Sequence, residues 1–267
     1  MISRRTFLSG TAASALPLRA WTEDLTSGDI IETATGKTLG FQELLDQLEQ
    51  ADTILIGERH GFAPHQNLVA LILEELALRG RFPTLALEML EPAQMPALEA
   101  YRADNPEYVG ALGAALDWAN TGWPAWSFYE PIFRAAFRAK LDVVAADLPR
   151  EEQRDIDQNG EIVPSQFSWL IDYWKPIVAS IQCNPISDRW IENVATRQTV
   201  RDRHISAMIV QAHSPLVALV GNRHMEPIEK LLTARESTAT TVGLGMLDGY
   251  TPGFLWHDAS AQGPSNC

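Results

Sequence analysis

The stretch Thr53-Ile54-Leu55-Ile56-Gly57-Glu58-Arg59-His60 decides the fold, because Leu216-Val217-Ala218-Leu219-Val220-Gly221-Asn222-Arg223-His224 repeats its design. Each is a short apolar run of the kind a buried strand shows, ended by glycine, with histidine three residues beyond that glycine. In an α/β sheet the carboxyl ends of parallel strands are where ligands bind. Two such ends, each delivering a histidine, point to one shared site.

Outward from these strands the periodicities alternate. Phe41 to Gln50 carries apolar residues at 41, 44, 45 and 48, a helical spacing. After Pro64, compatible with a first helical turn, Leu68, Leu71, Ile72, Leu76 and Arg79 recur with helical period until Gly80. Thr84 to Glu88 reads as a second strand, Phe128 to Ala139 as a helix, and Leu141 to Ala146 as a third strand ending at Asp147. Residues 151–213 read as mostly helical, interrupted at Pro164, Pro176 and Pro185; the fourth strand is 216–221, a helix follows from about 225, and Thr240 to Leu244 is a fifth strand. Strands alternating with helices predict an α/β fold: a layered parallel-sheet core flanked by helices. Helical insertions at about 91–126 and 151–213 would form a smaller subdomain, and the domain would span 45–257 between a lead-in at 21–44 and a tail at 258–267.

The chain has 267 residues and is 46% apolar, enough for a sizeable core and against disorder. Beyond the first 20 residues nothing approaches the apolar length of a membrane span. Those first residues read as an address: Ser3-Arg4-Arg5-Thr6-Phe7-Leu8 places a twin arginine before a weakly apolar run from Leu8 to Leu18, with Ala20 at a cleavage position. This pattern resembles a bacterial twin-arginine export signal, which predicts a periplasmic protein. Removal of the segment takes three arginines and no acid, moving the formal charge from −13 to −16. So acidic a surface disfavours nucleic acid and anionic lipid. Only Cys183 and Cys267 are present, neither placed for lipid attachment, and an oxidising compartment allows them either to bridge or to stay free.

The strand ends supply Glu58 and His60, Glu88, Asp147 and His224. Two imidazoles with carboxylates suit a divalent ion such as zinc, iron or manganese, with His60, His224, Glu58, Glu88 and Asp147 as ligands. The same groups suit a metal-free hydrolase, in which a histidine takes a proton from water and a carboxylate holds its tautomer. Residue types alone leave both open. Glu88 ends an apolar strand and needs a partner, for which Arg59 and Arg223 are the nearby candidates, and Asp147 before Pro149 also reads as a helix cap. His65 lies in the first turn of a helix, a position for a neutral ligand or an ordinary surface residue. Trp123, Trp126, Phe128 and Tyr129 read as core or as a platform for a flat ligand, with Tyr129 able to offer a phenolate to ferric iron. His204, His213 and His257 show no comparable setting.

Five segments in order resemble the ChaN-like family: Gly57-Glu58-Arg59-His60 with Pro64-His65-Gln66; Ala86-Leu87-Glu88-Met89; Tyr129-Glu130-Pro131-Ile132 with Val143 to Pro149; Arg197-Gln198-Thr199-Val200-Arg201-Asp202; and Gly221-Asn222-Arg223-His224. The resemblance implies a parallel-sheet core and one of two activities. One is haem or iron binding in uptake, with haem held through tyrosine between the two copies of a homodimer; Tyr129 is the tyrosine that falls in a matching segment. The other, that of Tiki-type metalloproteases, implies hydrolysis at Glu58, His60, Glu88 and His224. Departures are Asp147 in place of asparagine before Leu148-Pro149, the apolar Gly61-Phe62-Ala63, and the missing lipid-attachment cysteine. The expectation is an exported protein that binds haem or iron, with a hydrolase as the alternative.

Overall fold

The computed structural model describes residues 29–180, 187–245 and 249–257; the twin-arginine segment, both cysteines and Pro185 lie outside the described residues. Its elements in chain order are β1 Asp29–Glu32, β2 Lys37–Leu39, α1 Phe41–Glu49, β3 Thr53–Glu58, α2 Ala63–Leu78, β4 Thr84–Leu87, α3 Met95–Asp104, α4 Leu112–Ala115, α5 Trp126–Arg138, β5 Val143–Ala145, α6 Arg150–Asn159, α7 Ser168–Ser180, α8 Asp188–Gln211, β6 Leu216–Gly221, α9 Met225–Thr233, β7 Thr240–Leu244 and β8 Phe254–His257. Short 3₁₀ turns at Pro92–Gln94, Trp118–Asn120, Ser165–Phe167 and Asn222–His224 join some of them.

One eight-stranded sheet runs β2-β1-β8-β7-β3-β6-β4-β5. From β8 to β5 every pairing is parallel, and β1 joins β8 antiparallel as the inner strand of a hairpin with β2. Residues 29–39, expected to be part of a lead-in, therefore close one edge of the sheet. The two repeated strands are direct neighbours in register, with Glu58 opposite Gly221.

Side chains alternate across a strand, and the core divides accordingly. Ile54, Ile56, Leu85, Leu87, Val217 and Leu219 face a layer built from α1, α2 and α5, including Leu44, Leu68, Ile72 and Phe133. Leu55, Ala86, Leu216, Ala218 and Val220 face the other layer, with Ile205 and Ile209 of α8 and Met225, Ile228 and Leu232 of α9. Strands buried on both faces explain why the sequence shows continuous apolar runs rather than alternation. From the first insertion, Leu98, Leu112 and Trp118 join the larger of these cores.

Two departures from the sequence expectation have physical reasons. Pro176, expected to interrupt a helix, lies inside α7. Its ring and Asp172, whose carbonyl loses its intrahelical donor, are both exposed, so water can meet the freed oxygen. The strands β1, β2 and β8, of four, three and four residues, are too short for a periodicity to register.

Candidate functional site

Because β3, β6, β4 and β5 are adjacent and parallel, their carboxyl ends share one edge, and Glu58, His224, Glu88 and Asp147 meet there. Glu58 and Glu88 are each 1% exposed, so both carboxylates need internal partners. His60 Nδ1–H donates to Glu58 Oε1 at 2.9 Å, and the Tyr129 hydroxyl donates to the same oxygen at 3.1 Å. Gln66 Nε2 donates to the other oxygen of Glu58. Glu88 Oε2 accepts from the Gly221 N–H at 2.6 Å, and Oε1 accepts from Arg201 at 2.8 Å. Arg201, not Arg59 or Arg223, is thus the partner of Glu88. Its guanidinium also holds Asp147, through Nε at 2.7 Å and a terminal nitrogen at 3.1 Å.

His224 repeats the arrangement of His60. Its Nδ1–H donates to Asp202 at 2.6 Å, and Asp202 is fixed from its other side by Trp174 Nε1 at 2.6 Å. The free Nε2 atoms of both rings turn toward Glu88, His224 at 3.3 Å and His60 at 3.9 Å. Gly221 is what lets the His60 ring lie over the end of β6, since a Cβ there would come within 2.6 Å of His60 Nε2. The site is therefore two carboxylate–imidazole pairs facing one central glutamate.

Four carboxylates are buried here (Glu58, Glu88, Asp147 and Asp202), and the buried guanidinium of Arg201 is bonded to two of them, Glu88 and Asp147. Burial works to neutralise Glu88, yet the charges of His224, Arg201 and His60 and the Gly221 N–H outweigh it and hold its pKa at about 2. For Asp202 burial prevails over its partners and the pKa is raised. Burial lowers the affinity of His60 for a proton, but its bond to Glu58 and the charges of Glu88 and Glu58 reverse this, leaving the pKa above its ordinary 6.5. Burial and the Glu58 charge hold the Tyr129 phenol protonated, with its pKa raised far above 10.

The residues expected to bind metal are together, but their oxygens already serve N–H and O–H donors. Among the described residues no group of three or more His, Cys, Asp or Glu side chains is placed to hold a metal ion. Asp147 acts as an anchor for Arg201 and also accepts from the Leu148 N–H at 2.8 Å, so it does not cap a helix. His65 is buried beside the cluster rather than in it: its Nδ1 accepts from the Arg59 N–H at 2.8 Å, and its ring packs edge-on against Phe62 and Trp256. Tyr129 is 1% exposed, with its hydroxyl turned to Glu58. Trp123 is the aromatic that reaches the mouth, 4.9 Å from the His60 ring and 6.0 Å from the Arg201 guanidinium carbon.

Sequence reasoning passed over Trp174 and met Arg201 and Asp202 only within the family-like segment 197–202, with no role at the site. A signal was present: Ala195, Thr199, Asp202, Ser206 and Ile209 recur at helical spacing and are all buried on α8. An acid on the apolar face of a helix needs a buried partner. Beside the cluster opens a cleft of about 440 Å³ bordered by Trp123, Asp147 and Arg201.

Comparison with known proteins follows the same outline. Residues 44–229 match a family model described as haem-binding uptake, Tiki superfamily, ChaN. ChaN of Campylobacter jejuni, solved for its cofacial haem binding, superposes with a TM-score of 0.72 at 22% identity, over 85% of this chain and 95% of that one. The type III effector HopBA1 is 15% identical with a TM-score of 0.41, over 80% of this chain and 90% of its own, too remote to support an argument. No curated protein sequence matches. With the matched model covering most of the chain, the protein belongs to the haem-binding uptake family of the Tiki superfamily, ChaN.

Proposed function

We propose that the protein binds haem in the periplasm, as a twin-arginine-exported homodimer serving iron or haem uptake. The observation that carries the haem reading is the family match over residues 44–229, while export rests on the twin arginine at Arg4-Arg5. The candidate ligands fit unequally. Tyr129 is poorly suited to give a phenolate to iron, because its phenol is buried, protonated and bonded to Glu58. His60 fits better: 29% of its side chain is exposed, and Trp123 offers a ring face beside it. His60 would hold the iron of a bound haem through its imidazole and Trp123 would pack on the porphyrin, the haem supplying a metal centre that takes nitrogen ligands. Titration of the chain with ferric haem, followed in the visible band, should saturate at fixed stoichiometry. His60→Ala should weaken it at least tenfold and Tyr129→Phe should leave it unchanged. A response that never saturates sinks the proposal; loss in Tyr129→Phe alone returns the ligand to tyrosine. Light scattering on the same samples reads the dimer.

One observation favours a second reading, a metal-free hydrolase: the two carboxylate–imidazole pairs turned toward Glu88. His224, oriented by Asp202, would take a proton from water at Nε2. His60, kept protonated by Glu58 and Glu88, would give one to the leaving group, while Glu88 stays ionised and holds both rings in place. A screen of esters and peptides tests it. Turnover should fall as pH rises through the His60 pKa, above 6.5, and should vanish in His224→Ala; a pH-independent rate, or activity surviving that change, argues against it.

A further inference from the structure

The cleft of about 440 Å³ next to the cluster has a wall unlike the rest of the chain. The protein is acidic, with a formal charge of −13, yet Arg150, Arg154, Arg197 and Arg201 all border this one depression. Three acids border it too, and each is already engaged. Glu91 accepts from the Arg150 N–H at 2.8 Å, Asp147 holds Arg201 at 2.7 Å, and Asp157 holds Arg197 at 2.6 Å. Arg150 is spent on the loop that carries Trp123, donating to the carbonyls of Asn120 and Thr121. Arg154 remains, exposed and in no ion pair among the described residues.

The Arg197–Asp157 bond is also incomplete. An arginine and a carboxylate usually meet through two parallel bonds. Here a single nitrogen of Arg197 reaches one oxygen of Asp157, while Arg197 Nε and Asp157 Oδ1 lie buried with no hydrogen-bond partner among the described residues. A buried donor or acceptor left without a partner is destabilising, and a small turn of either side chain toward a ligand relieves it without breaking a bond. Arg197, a quarter exposed, already reaches the cleft. The uncommitted groups are thus guanidinium donors, which suit an oxyanion, beside one carboxylate oxygen, which suits a hydroxyl donor.

We propose that this cleft is a binding subsite for a small oxyanion that carries its own hydroxyl, a hydroxy-carboxylate or a hydrogen phosphate, held by Arg154 and Arg197 with its hydroxyl on Asp157. Trp123 and Arg201 stand between the cleft and the Glu88 cluster, so the subsite adjoins the site described above. Its occupancy does not depend on haem.

Calorimetric titration of the full chain with inorganic phosphate, malate and succinate tests it. Phosphate or malate should bind saturably at one site, and malate should bind several-fold tighter than succinate, which lacks the hydroxyl. Arg154→Gln and Arg197→Gln should each weaken binding tenfold or more, and Arg235→Gln, an exposed position beyond α9, should leave it unchanged. Arg154 is exposed and in no ion pair among the described residues, so its variant carries the test should Arg197→Gln unfold. Saturable phosphate without malate assigns a phosphate ligand and the converse a hydroxy-acid; either supports the subsite. Absence of saturable heat for both, or parental affinity in Arg154→Gln, overturns it. The probes contain no porphyrin, so these results stand apart from those of the haem titration.

Discussion

Glu88 is tied through both oxygens, to the Gly221 N–H and to Arg201, and Arg201 is tied in turn to Asp147. This chain of charges predicts an order of stabilities. Arg201→Met leaves two buried carboxylates without their shared counter-charge and should cost about 3–5 kcal/mol, the range for breaking a buried ion pair. Glu88→Gln should cost less, because Asp147 still neutralises the guanidinium. Urea unfolding of both variants decides; equal losses would mean that Asp147 contributes nothing to holding Arg201. The pH dependence follows from the same carboxyl. Its folded pKa is lowered from 4.5 to about 2, so its contribution is complete above pH 4.5 and is lost as pH falls toward 2. By linkage that contribution is about 3 kcal/mol, and stability in Glu88→Gln should fall less steeply across this window. At this scale the sequence was half legible. Glu58, His60, Glu88 and His224 could be named because each stands at the end of an apolar run. Arg201 and Asp202 stand in mid-helix, where only their place on the buried face of α8 sets them apart, and Trp174 is one apolar residue among several on α7.

Between β3 and β6, two glycines do different work. A Cβ on Gly221 would come within 2.6 Å of His60 Nε2 and 3.6 Å of Glu88 Oε2, whereas one on Gly57 would come within 2.0 Å of Met225 Sδ. Gly221 has an ordinary extended backbone, φ −64° and ψ 144°, so alanine strains only its neighbours. Gly221→Ala should therefore fold with near-parental stability but push the His60 ring off Glu88. Gly57→Ala should instead overpack the contact with α9 and cost about 1–3 kcal/mol. NMR titration of His60 in Gly221→Ala, with thermal melts of both variants, separates the two. An unshifted His60 together with a large loss of stability would show that both glycines serve packing alone. The paired apolar runs ending in Gly-x-x-His placed both strand ends on one edge of a parallel sheet, while their adjacency and register follow from the assembled sheet. The hairpin β1–β2 and strand β8 could not be read from the sequence, because their half-exposed three- and four-residue runs take their identity from the edge they cover.

At the scale of the whole molecule, the site exists only in the folded chain. Glu58 and His224 come from opposite ends of the domain, and the edge they share forms once β6 has inserted between β3 and β4. A pocket assembled this way must be complete before it can take a ligand. The export route read in Ser3-Arg4-Arg5-Thr6-Phe7-Leu8 carries folded proteins, so the order of events would be folding first and crossing second. This predicts that Arg4→Lys with Arg5→Lys retains a folded, ligand-competent precursor in the cytoplasmic fraction. A variant that destroys the fold without touching the signal should be retained as well, and Leu219→Asp, which would bury a charge in the sheet core, is the first to try. Fractionation with immunoblotting reads both. If the twin-lysine chain reaches the periplasm at the parental level, the address has been misread. If the unfolded variant is exported while the twin-lysine chain is not, the signal is genuine and the folding requirement is wrong.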